Sequence, residues 1–178
     1  MPAMRKVTLI TTGGTIEKTY DEQTGVLSNR RTLVDRMLAE LHLEDTVIST
    51  VELMSKDSLD MTPDDRRRIV EAVRGAADAD AASSGVVVLH GTDTLCETGE
   101  LLAGALPRPR VPVVLTGAWR PFEMKRSDAL QNLTEAIFST GALAPGIYCV
   151  AHGRQLRFPG VRKDRERGTF TAVDGAAR

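Results

Sequence analysis

Short apolar runs alternate along this chain with longer segments whose apolar residues recur at helical spacing. The apolar runs are rich in Val, Ile and Leu and seldom alternate with polar residues. They cover residues 7–11, 47–53, 86–89, 111–115 and 147–151. Runs of this length and composition are typical of strands that are buried on both faces of a parallel sheet. The pattern therefore predicts five such strands.

The segments between these runs carry helix signals. Leu33, Met37 and Leu41 recur at four-residue spacing and would form one apolar helix face. Three further helix starts are predicted from capping residues: Thr62 before Pro63, a capping box over residues 94–97, and Ser127.

Strands that alternate with helices in this way predict an α/β fold. We expect a three-layer, doubly wound, mostly parallel sheet of the Rossmann or flavodoxin type, with residues 1–178 forming a single domain. Ligands of such sheets bind beyond the carboxyl ends of the strands. The polar clusters at these ends are TTGGT (11–15), MSKDSLDMTP (54–63), HGTDT (90–94) and TGAWRPF (116–122). We expect the functional site where they meet.

The TTGGT cluster does not fit the common nucleotide-binding motifs. No lysine follows its second glycine, as a phosphate-binding loop requires, and the GxGxxG spacing is absent. Two interpretations remain: the glycines allow a tight turn, or they let a substrate approach while Thr15 presents its hydroxyl as a nucleophile. A threonine nucleophile needs a base within hydrogen-bonding reach. Tyr20, or a lysine that acts through Thr92 with Asp93 beside it, would meet that need.

Composition and charge argue against several classes of partner. The chain has 23 basic and 24 acidic residues, and its net charge of −1 gives no reason to expect binding to nucleic acid or to an anionic membrane. Cys96 and Cys149 have neither a metal-ligand spacing nor a disulfide pattern, so we expect a cytoplasmic location. His90 and His152 lack a third ligand at suitable spacing, so no metal site is predicted.

Three polar segments are interpreted as irregular structure. Residues 17–25 are rich in turn formers and are predicted to form a mobile lid that contains Tyr20. The basic run at residues 154–167 is interpreted as a solvated loop. Residues 168–178 are interpreted as weakly anchored.

Taken together, the polar clusters resemble the signature segments of the bacterial-type L-asparaginases. The matching segments are TTGGTI (11–16), KDSLDMTP (56–63), VVLHGTDT (87–94), LTGAWRPFEMKRSDALQN (115–132) and GVRKDRERGTF (160–170). They follow the family's order and span nearly the whole chain. The resemblance implies an amidohydrolase that converts L-asparagine to L-aspartate and ammonia and needs no metal or cofactor.

The resemblance also implies a role for each residue of the site. Thr15 would be the nucleophile that forms an acyl-enzyme, with Tyr20 assisting it. Thr92, Asp93 and Lys163 would form a second catalytic cluster that moves protons and helps water to attack. Asp93 would also bind the α-ammonium group of the substrate. Further substrate-binding positions implied by the resemblance are Gly14, Asp57, Ser58 (for the α-carboxylate), Gly91 and Ala118.

The chain departs from the family pattern in three respects. Trp119 stands where the family usually has methionine, and Leu59 stands where a polar residue usually follows the binding serine. The chain also ends where the family's smaller second domain would begin, so the resemblance implies a short form that consists of the catalytic domain. Assembly into a dimer or tetramer is expected from the family.

Two alternative functions remain open. The first is a broader amidase that acts on glutamine or another amide, for which Leu59 would be the responsible change. The second is a catalytically silent module that binds an amino acid. The complete set of Thr15, Thr92, Asp93 and Lys163 argues against the second alternative.

Overall fold

Strands and helices alternate through residues 4–79 and 83–173, which are the residues that the computed structural model of the chain describes. The strands are β1 (Arg5–Gly13), β2 (Thr19–Asp21), β3 (Val26–Ser28), β4 (Thr46–Lys56), β5 (Ser83–Leu89), β6 (Pro112–Thr116), β7 (Gly146–Ala151), β8 (Arg154–Arg157), β9 (Val161–Asp164) and β10 (Thr169–Ala172). The helices are α1 (Val34–Ala39), α2 (Pro63–Asp78), α3 (Leu95–Ala105) and α4 (Ala129–Ser139), with short 3-10 turns at Thr15–Glu17 and Ser58–Asp60.

A six-stranded sheet organises these elements, in the order β4-β1-β5-β6-β7-β8. The first five strands in this order are parallel, and β8 pairs antiparallel with β7. The five predicted strands thus lie in the order second, first, third, fourth, fifth, which is the order of flavodoxin-type sheets. The predicted α/β class and mostly parallel sheet are confirmed.

Two helical layers cover the two faces of this sheet. Val86 and Val88 of β5 pack into a core with residues of α2 and α3. Val87 and Leu89 point to the opposite face and pack with residues of α1 and α4. Successive side chains of a strand alternate between faces, so an uninterrupted apolar run serves both cores at once. The predicted three-layer arrangement is confirmed.

Strand β4 corrects one expectation, because it is not buried on both faces. Val47 is 46% exposed and Val51 is 41% exposed. The strand lies at the edge of the sheet and has β1 as its one neighbour there. Its apolar run therefore resembles a central strand in composition, while its position leaves much of it open to solvent.

The predicted helix starts agree with the structure to different degrees. Helix α2 begins as expected, with Thr62 and Asp65 forming a reciprocal capping box. The capping box predicted at residues 94–97 is wrong, because the Thr94 hydroxyl donates instead to the Ser58 carbonyl at 2.9 Å. At α4 the N-cap position belongs to Asp128, and Ser127 accepts from the Ala129 amide at 3.1 Å.

The segments interpreted as irregular contain regular structure. The basic run at 154–167 forms β8 and β9, and β9 pairs with β10 in an antiparallel hairpin. Phe170 of β10 is fully buried in the core, so this strand is anchored rather than loosely attached. The rest of the predicted weak anchor, residues 174–178, lies outside the described residues. None of the helices within the described ranges has the length and apolar character to cross a membrane.

Candidate active site

The carboxyl ends of β1 and β5 meet through glycine backbones. Gly13 and Gly14 have φ angles of 96° and 82°, in the region that favours glycine. A Cβ atom on Gly14 would lie 2.4 Å from the Gly91 nitrogen, and one on Gly13 would lie 2.5 Å from the backbone of Lys56. The space left by the missing side chains is therefore filled by neighbouring strand ends. The tight-turn interpretation of these glycines describes the contacts better than the interpretation that they make room for substrate.

Ser58 lies against the backbone of Gly91. A Cβ atom on Gly91 would lie 2.5 Å from Ser58 Oγ, and the serine is almost fully buried. Ser58 Oγ accepts a hydrogen bond from the Thr94 amide at 3.3 Å. Because the backbone supplies this donor, the hydroxyl hydrogen of Ser58 is available to another acceptor. Thr94 is thus used to hold Ser58 in place rather than to cap α3.

Thr15 follows directly after Gly14, and Thr92 follows directly after Gly91. The Gly14–Gly91 contact therefore brings the two threonines to neighbouring positions at the same edge of the sheet. Thr15 starts the 3-10 turn Thr15–Glu17 and is half-buried. Within the described ranges its hydroxyl makes no hydrogen bond, so Oγ1 carries no competing partner.

Lys163 reaches the same edge from β9. Its Nζ atom donates to Thr92 Oγ1 at 2.7 Å and to Asp93 Oδ1 at 2.9 Å, and its side chain is 12% exposed. The hydrogen bond from Lys163 holds the pKa of the Asp93 carboxyl below its usual value, so Asp93 is ionised at neutral pH. The fold thus joins a lysine near the end of the chain to two neighbouring residues that follow β5.

Asp57 and Ala118 make no hydrogen bond to the Lys163, Thr92 and Asp93 side chains among the described residues. Asp57 caps the turn Ser58–Asp60 by accepting from the Leu59 amide at 3.0 Å, and it pairs with Lys18 Nζ at 2.6 Å. That lysine lowers the pKa of the Asp57 carboxyl. The Ala118 side chain is buried in the core between the sheet and α4. A substrate contact at this position would therefore have to come from its backbone.

Tyr20 is exposed and is not hydrogen-bonded to the cluster of Thr92, Asp93 and Lys163. It lies on β2, opposite Leu27 of β3, and it is 58% exposed. Its hydroxyl lies beside Gly25, at 3.9 Å from where a Cβ of that glycine would be. In the described part of the chain it makes no hydrogen bond. Residues 19–28 form a two-stranded hairpin on which the tyrosine side chain is exposed.

The comparisons with known proteins decide the family. A sequence model described as "Asparaginase, N-terminal" matches residues 6–174 of the chain. The chain belongs to the asparaginase family.

Similar asparaginases are known both by sequence and by structure. The L-asparaginase of Thermococcus kodakarensis is 36% identical over 146 residues, which are 80% of this chain and 43% of that protein. The solved structure of the thermostable T. kodakarensis enzyme superposes with a TM-score of 0.83 at 30% identity, over 95% of this chain and 51% of that one. L-asparaginase I from Vibrio cholerae gives a TM-score of 0.75 at 26% identity, over 96% and 52% of the two chains.

A second group of relatives consists of subunits of glutamyl-tRNA(Gln) amidotransferases. The relative of this kind from Thermoplasma acidophilum is 35% identical over 137 residues, which are 77% of this chain and 33% of that protein. The chain thus spans about a third of this amidotransferase subunit and about two fifths of the curated T. kodakarensis asparaginase. It spans about half of the two solved asparaginase chains.

Trp119 and Leu59, two of the three departures from the asparaginase pattern, occupy different environments. The ring of Trp119 lies 5.1 Å from Lys163 Nζ, and it also contacts His152 and Phe170. A cation over an aromatic face is attracted by the ring quadrupole, so Trp119 supports the ammonium group of Lys163. Leu59 is instead exposed and adds no polar side chain to the turn that carries Ser58.

Glu17 is a buried carboxylate that the sequence interpretation placed in a mobile lid. Its carboxylate accepts from the Gly13 amide at 3.1 Å, from the Leu33 amide at 3.3 Å and from the Thr32 hydroxyl. Burial raises its pKa. Glu17 therefore ties the turn that carries Thr15 to the start of α1, so this part of residues 17–25 does not behave as a lid. Nothing in a polar, turn-rich segment signals a buried acid.

Lys18 and Arg165 are further residues that sequence reasoning did not identify. Each pairs with a carboxylate of the site, Lys18 with Asp57 and Arg165 with Asp93 Oδ1 at 2.9 Å. Arg165 lies in the turn after β9, two residues beyond Lys163, so a strand pattern gives no signal for its pairing with Asp93. For Lys18 the sequence offers no signal either.

His90 and His152 are satisfied by hydrogen bonds. His90 is fully buried; its Nδ1 faces the Gly91 carbonyl at 2.9 Å and its Nε2 faces the Thr98 hydroxyl at 2.9 Å. The carbonyl requires Nδ1 to carry the hydrogen, so Nε2 accepts from Thr98. Burial lowers the His90 pKa to about 4. His152 pairs with Asp128 at 2.8 Å. A search of residues 4–79 and 83–173 finds no acid, histidine and cysteine group able to hold a metal ion.

Proposed function

We propose that this chain hydrolyses L-asparagine to L-aspartate and ammonia through an acyl-enzyme on Thr15. The observation that carries the proposal is the hydrogen-bonded cluster of Lys163, Thr92 and Asp93, set beside the turn of Thr15 by the Gly14–Gly91 contact. Membership of the asparaginase family supports the same chemistry. Residues 6–174 would form the catalytic domain.

In the first step, Thr15 Oγ1 would bond to the side-chain amide carbon while the carbon–nitrogen bond breaks. The hydroxyl proton ends on the leaving nitrogen, so ammonia departs as a neutral molecule. Backbone amides near Thr92 and Ala118 would stabilise the negative oxygen that forms, which is worth on the order of 3 kcal/mol for each aligned donor. Tyr20 would assist only if its hairpin carried the phenol toward Thr15.

In the second step, water would attack the acyl carbon and Thr15 Oγ1 would leave with one proton of that water. Lys163 donates to Thr92 Oγ1, so the oxygen of Thr92 is already occupied by a donor. The hydrogen of the Thr92 hydroxyl is consequently directed to another acceptor, such as the reacting water or amide. Asp93 keeps the lysine in position through its own hydrogen bond.

The amino-acid head group would bind at the same edge. The Asp93 carboxylate would bind the α-ammonium group, and the free hydrogen of the Ser58 hydroxyl would be donated to the α-carboxylate. Gly14 and Gly91 would contribute backbone groups. Asp57 would act by holding the Ser58 turn and by adding negative charge near Asp93.

Replacement of the nucleophile tests the proposal. Thr15→Ala removes the attacking oxygen, and we expect ammonia release from L-asparagine to fall at least about a thousand-fold. Thr50→Ala, on the exposed part of β4, is the matched control and should keep full activity. Circular dichroism would verify that both variants are folded. Substantial ammonia release by folded Thr15→Ala would contradict the assignment of Thr15.

A second candidate function is suggested by the relatives that are named as subunits of glutamyl-tRNA(Gln) amidotransferase. Their name describes one part of a larger enzyme, so this chain would release ammonia in the presence of a protein partner. Ammonia release from L-asparagine by the purified chain without a partner favours the first candidate and contradicts the second. Comparison of L-asparagine and L-glutamine turnover by the same chain tests the alternative of a broader amidase. Assembly into a dimer or tetramer, and a cytoplasmic location, stay predictions.

A further inference from the structure

The Asp93 carboxylate is paired with two cationic side chains in this structure, although the proposed function requires it to bind the substrate. Lys163 Nζ and a guanidinium nitrogen of Arg165 each lie 2.9 Å from the same oxygen, Oδ1. The α-ammonium group of asparagine would be a third cation on one carboxylate. Like charges at such distances repel each other, so the three cannot share Asp93 without cost.

The two resident cations are held very differently. Lys163 is 12% exposed, lies on β9 and also donates to Thr92. Arg165 is 69% exposed, lies in the turn after β9, and has Asp93 as its one ion-pair partner among the described residues. Arg165 is therefore the cation that can leave when another arrives.

The turn does not need the Arg165 side chain to keep its shape. Asp164 Oδ1 accepts a hydrogen bond from the Arg167 amide at 3.0 Å, which closes the turn between β9 and β10. The hairpin is anchored beyond that turn by buried Phe170. A substitution at Arg165 would thus alter the charge at Asp93 and leave the hairpin in place.

We propose that Arg165 is a specificity-determining residue whose guanidinium competes with the α-ammonium group of the substrate for the Asp93 carboxylate. The proposal rests on the proposed function, because it assumes that Asp93 receives this ammonium. Arg165 lowers the affinity for amino-acid amides relative to amides that lack the ammonium group. It acts on binding and is not a catalytic residue.

The test compares two substrates that differ by one group. Succinamate has the side-chain amide of L-asparagine and a carboxylate equivalent to its α-carboxylate, but it has no α-ammonium group. Arg165→Ala should raise the ratio of kcat/KM for asparagine to kcat/KM for succinamate roughly three-fold, the size expected for an exposed ion pair, and chiefly through KM for asparagine. Arg167→Ala removes the same charge from the same turn and should leave the ratio unchanged.

An unchanged or lower ratio in Arg165→Ala would overturn the proposal, as would an equal rise in Arg167→Ala. A KM that increases for both substrates would show that Arg165 binds the shared carboxylate instead. Calorimetry with L-aspartate and succinate gives a readout that does not depend on turnover. If the wild-type chain hydrolyses neither amide, the proposed function fails, while tighter aspartate binding by Arg165→Ala would still support the role of Arg165. Absence of aspartate binding in both forms would overturn that role as well.

Discussion

Two regions supply the candidate site, and they are held in place by different means. The ends of β1 and β5 are pressed together by backbone contacts between glycines, which carry Thr15 and Thr92 with them. The β9–β10 hairpin is instead anchored by side chains, chiefly Phe170 in the core, and it delivers Lys163 across the sheet edge.

The difference matters for how each region tolerates change. A backbone contact has no freedom to adjust, because any added atom must displace a strand end. A side-chain anchor can lose part of its volume and still hold, at a cost that depends on how far the surroundings relax. We therefore expect one added methyl group at the strand ends to lower the free energy of unfolding strongly. Truncated side chains in the hairpin should lower it in proportion to the volume that is removed.

The largest effect is expected at the glycine contact. Gly14→Ala would place a Cβ 2.4 Å from the Gly91 nitrogen at a φ of 82°. We expect the free energy of unfolding to fall by about 3 kcal/mol or more, as measured by urea titration. Gly75→Ala, on the exposed face of α2 with no atom within 4 Å, should instead stabilise by up to about 1 kcal/mol. Equal stability of the two variants would show that the strand ends can separate.

Removal of the hairpin anchor should have the next largest effect. Phe170 lies opposite Lys163 in the β9–β10 register and is buried against Trp119. Phe170→Ala should reduce the free energy of unfolding by about 3 kcal/mol. It should also lower ammonia release, because Lys163 loses its support. Thr171→Ala, the neighbouring position of β10, is the control. Full activity in Phe170→Ala would mean that Lys163 is positioned by β9 without this anchor.

The pH dependence of stability should come from the strand-end region through His90. The unfolded histidine takes up a proton near its usual pKa of about 6.5, whereas the buried one does so at about 4. Between these values the unfolded state binds more protons, so stability is highest above pH 6.5 and decreases toward pH 4. The slope from this group should approach roughly 1.4 kcal/mol per pH unit.

Urea titrations between pH 7.5 and 4.5 measure this slope. His90→Asn cannot take up the proton, so its stability curve should be flatter than that of the wild type, whatever its absolute stability. His42→Asn is the control, because it removes one histidine from an exposed position. A wild-type slope retained in His90→Asn would assign the pH dependence to other groups.

The smallest effect is expected where an aromatic ring faces the hairpin lysine. Trp119→Met removes the ring that lies 5.1 Å from Lys163 Nζ and introduces the residue usual in the family. A cation–π contact is worth about 0.5–1 kcal/mol at exposed sites and about 2 kcal/mol where the cation is desolvated, as Lys163 largely is, so kcat/KM for asparagine should fall no more than about thirty-fold. A loss of several hundred-fold would show that Trp119 contacts the substrate itself.

The sheet was predictable because its signal is local. Apolar runs of four to seven residues identify the five parallel strands whatever the rest of the chain does. The start of α2 was predictable for the same reason, since Thr62 and Asp65 satisfy each other within one turn. Strands β8 and β9 were missed because their charged residues give a weak pattern, and their pairing partners are what make them strands.

The sequence by itself determined the α/β class, the parallel strands and the polar clusters at their ends, because each depends on neighbouring residues. The tertiary structure decided which groups meet: Lys163 on Thr92 and Asp93, Arg165 beside it, and Thr94 on Ser58 rather than on its own helix. It also left Tyr20 on an exposed hairpin. Contacts between residues some 70 positions apart depend on how whole elements pack, and no local pattern records that packing.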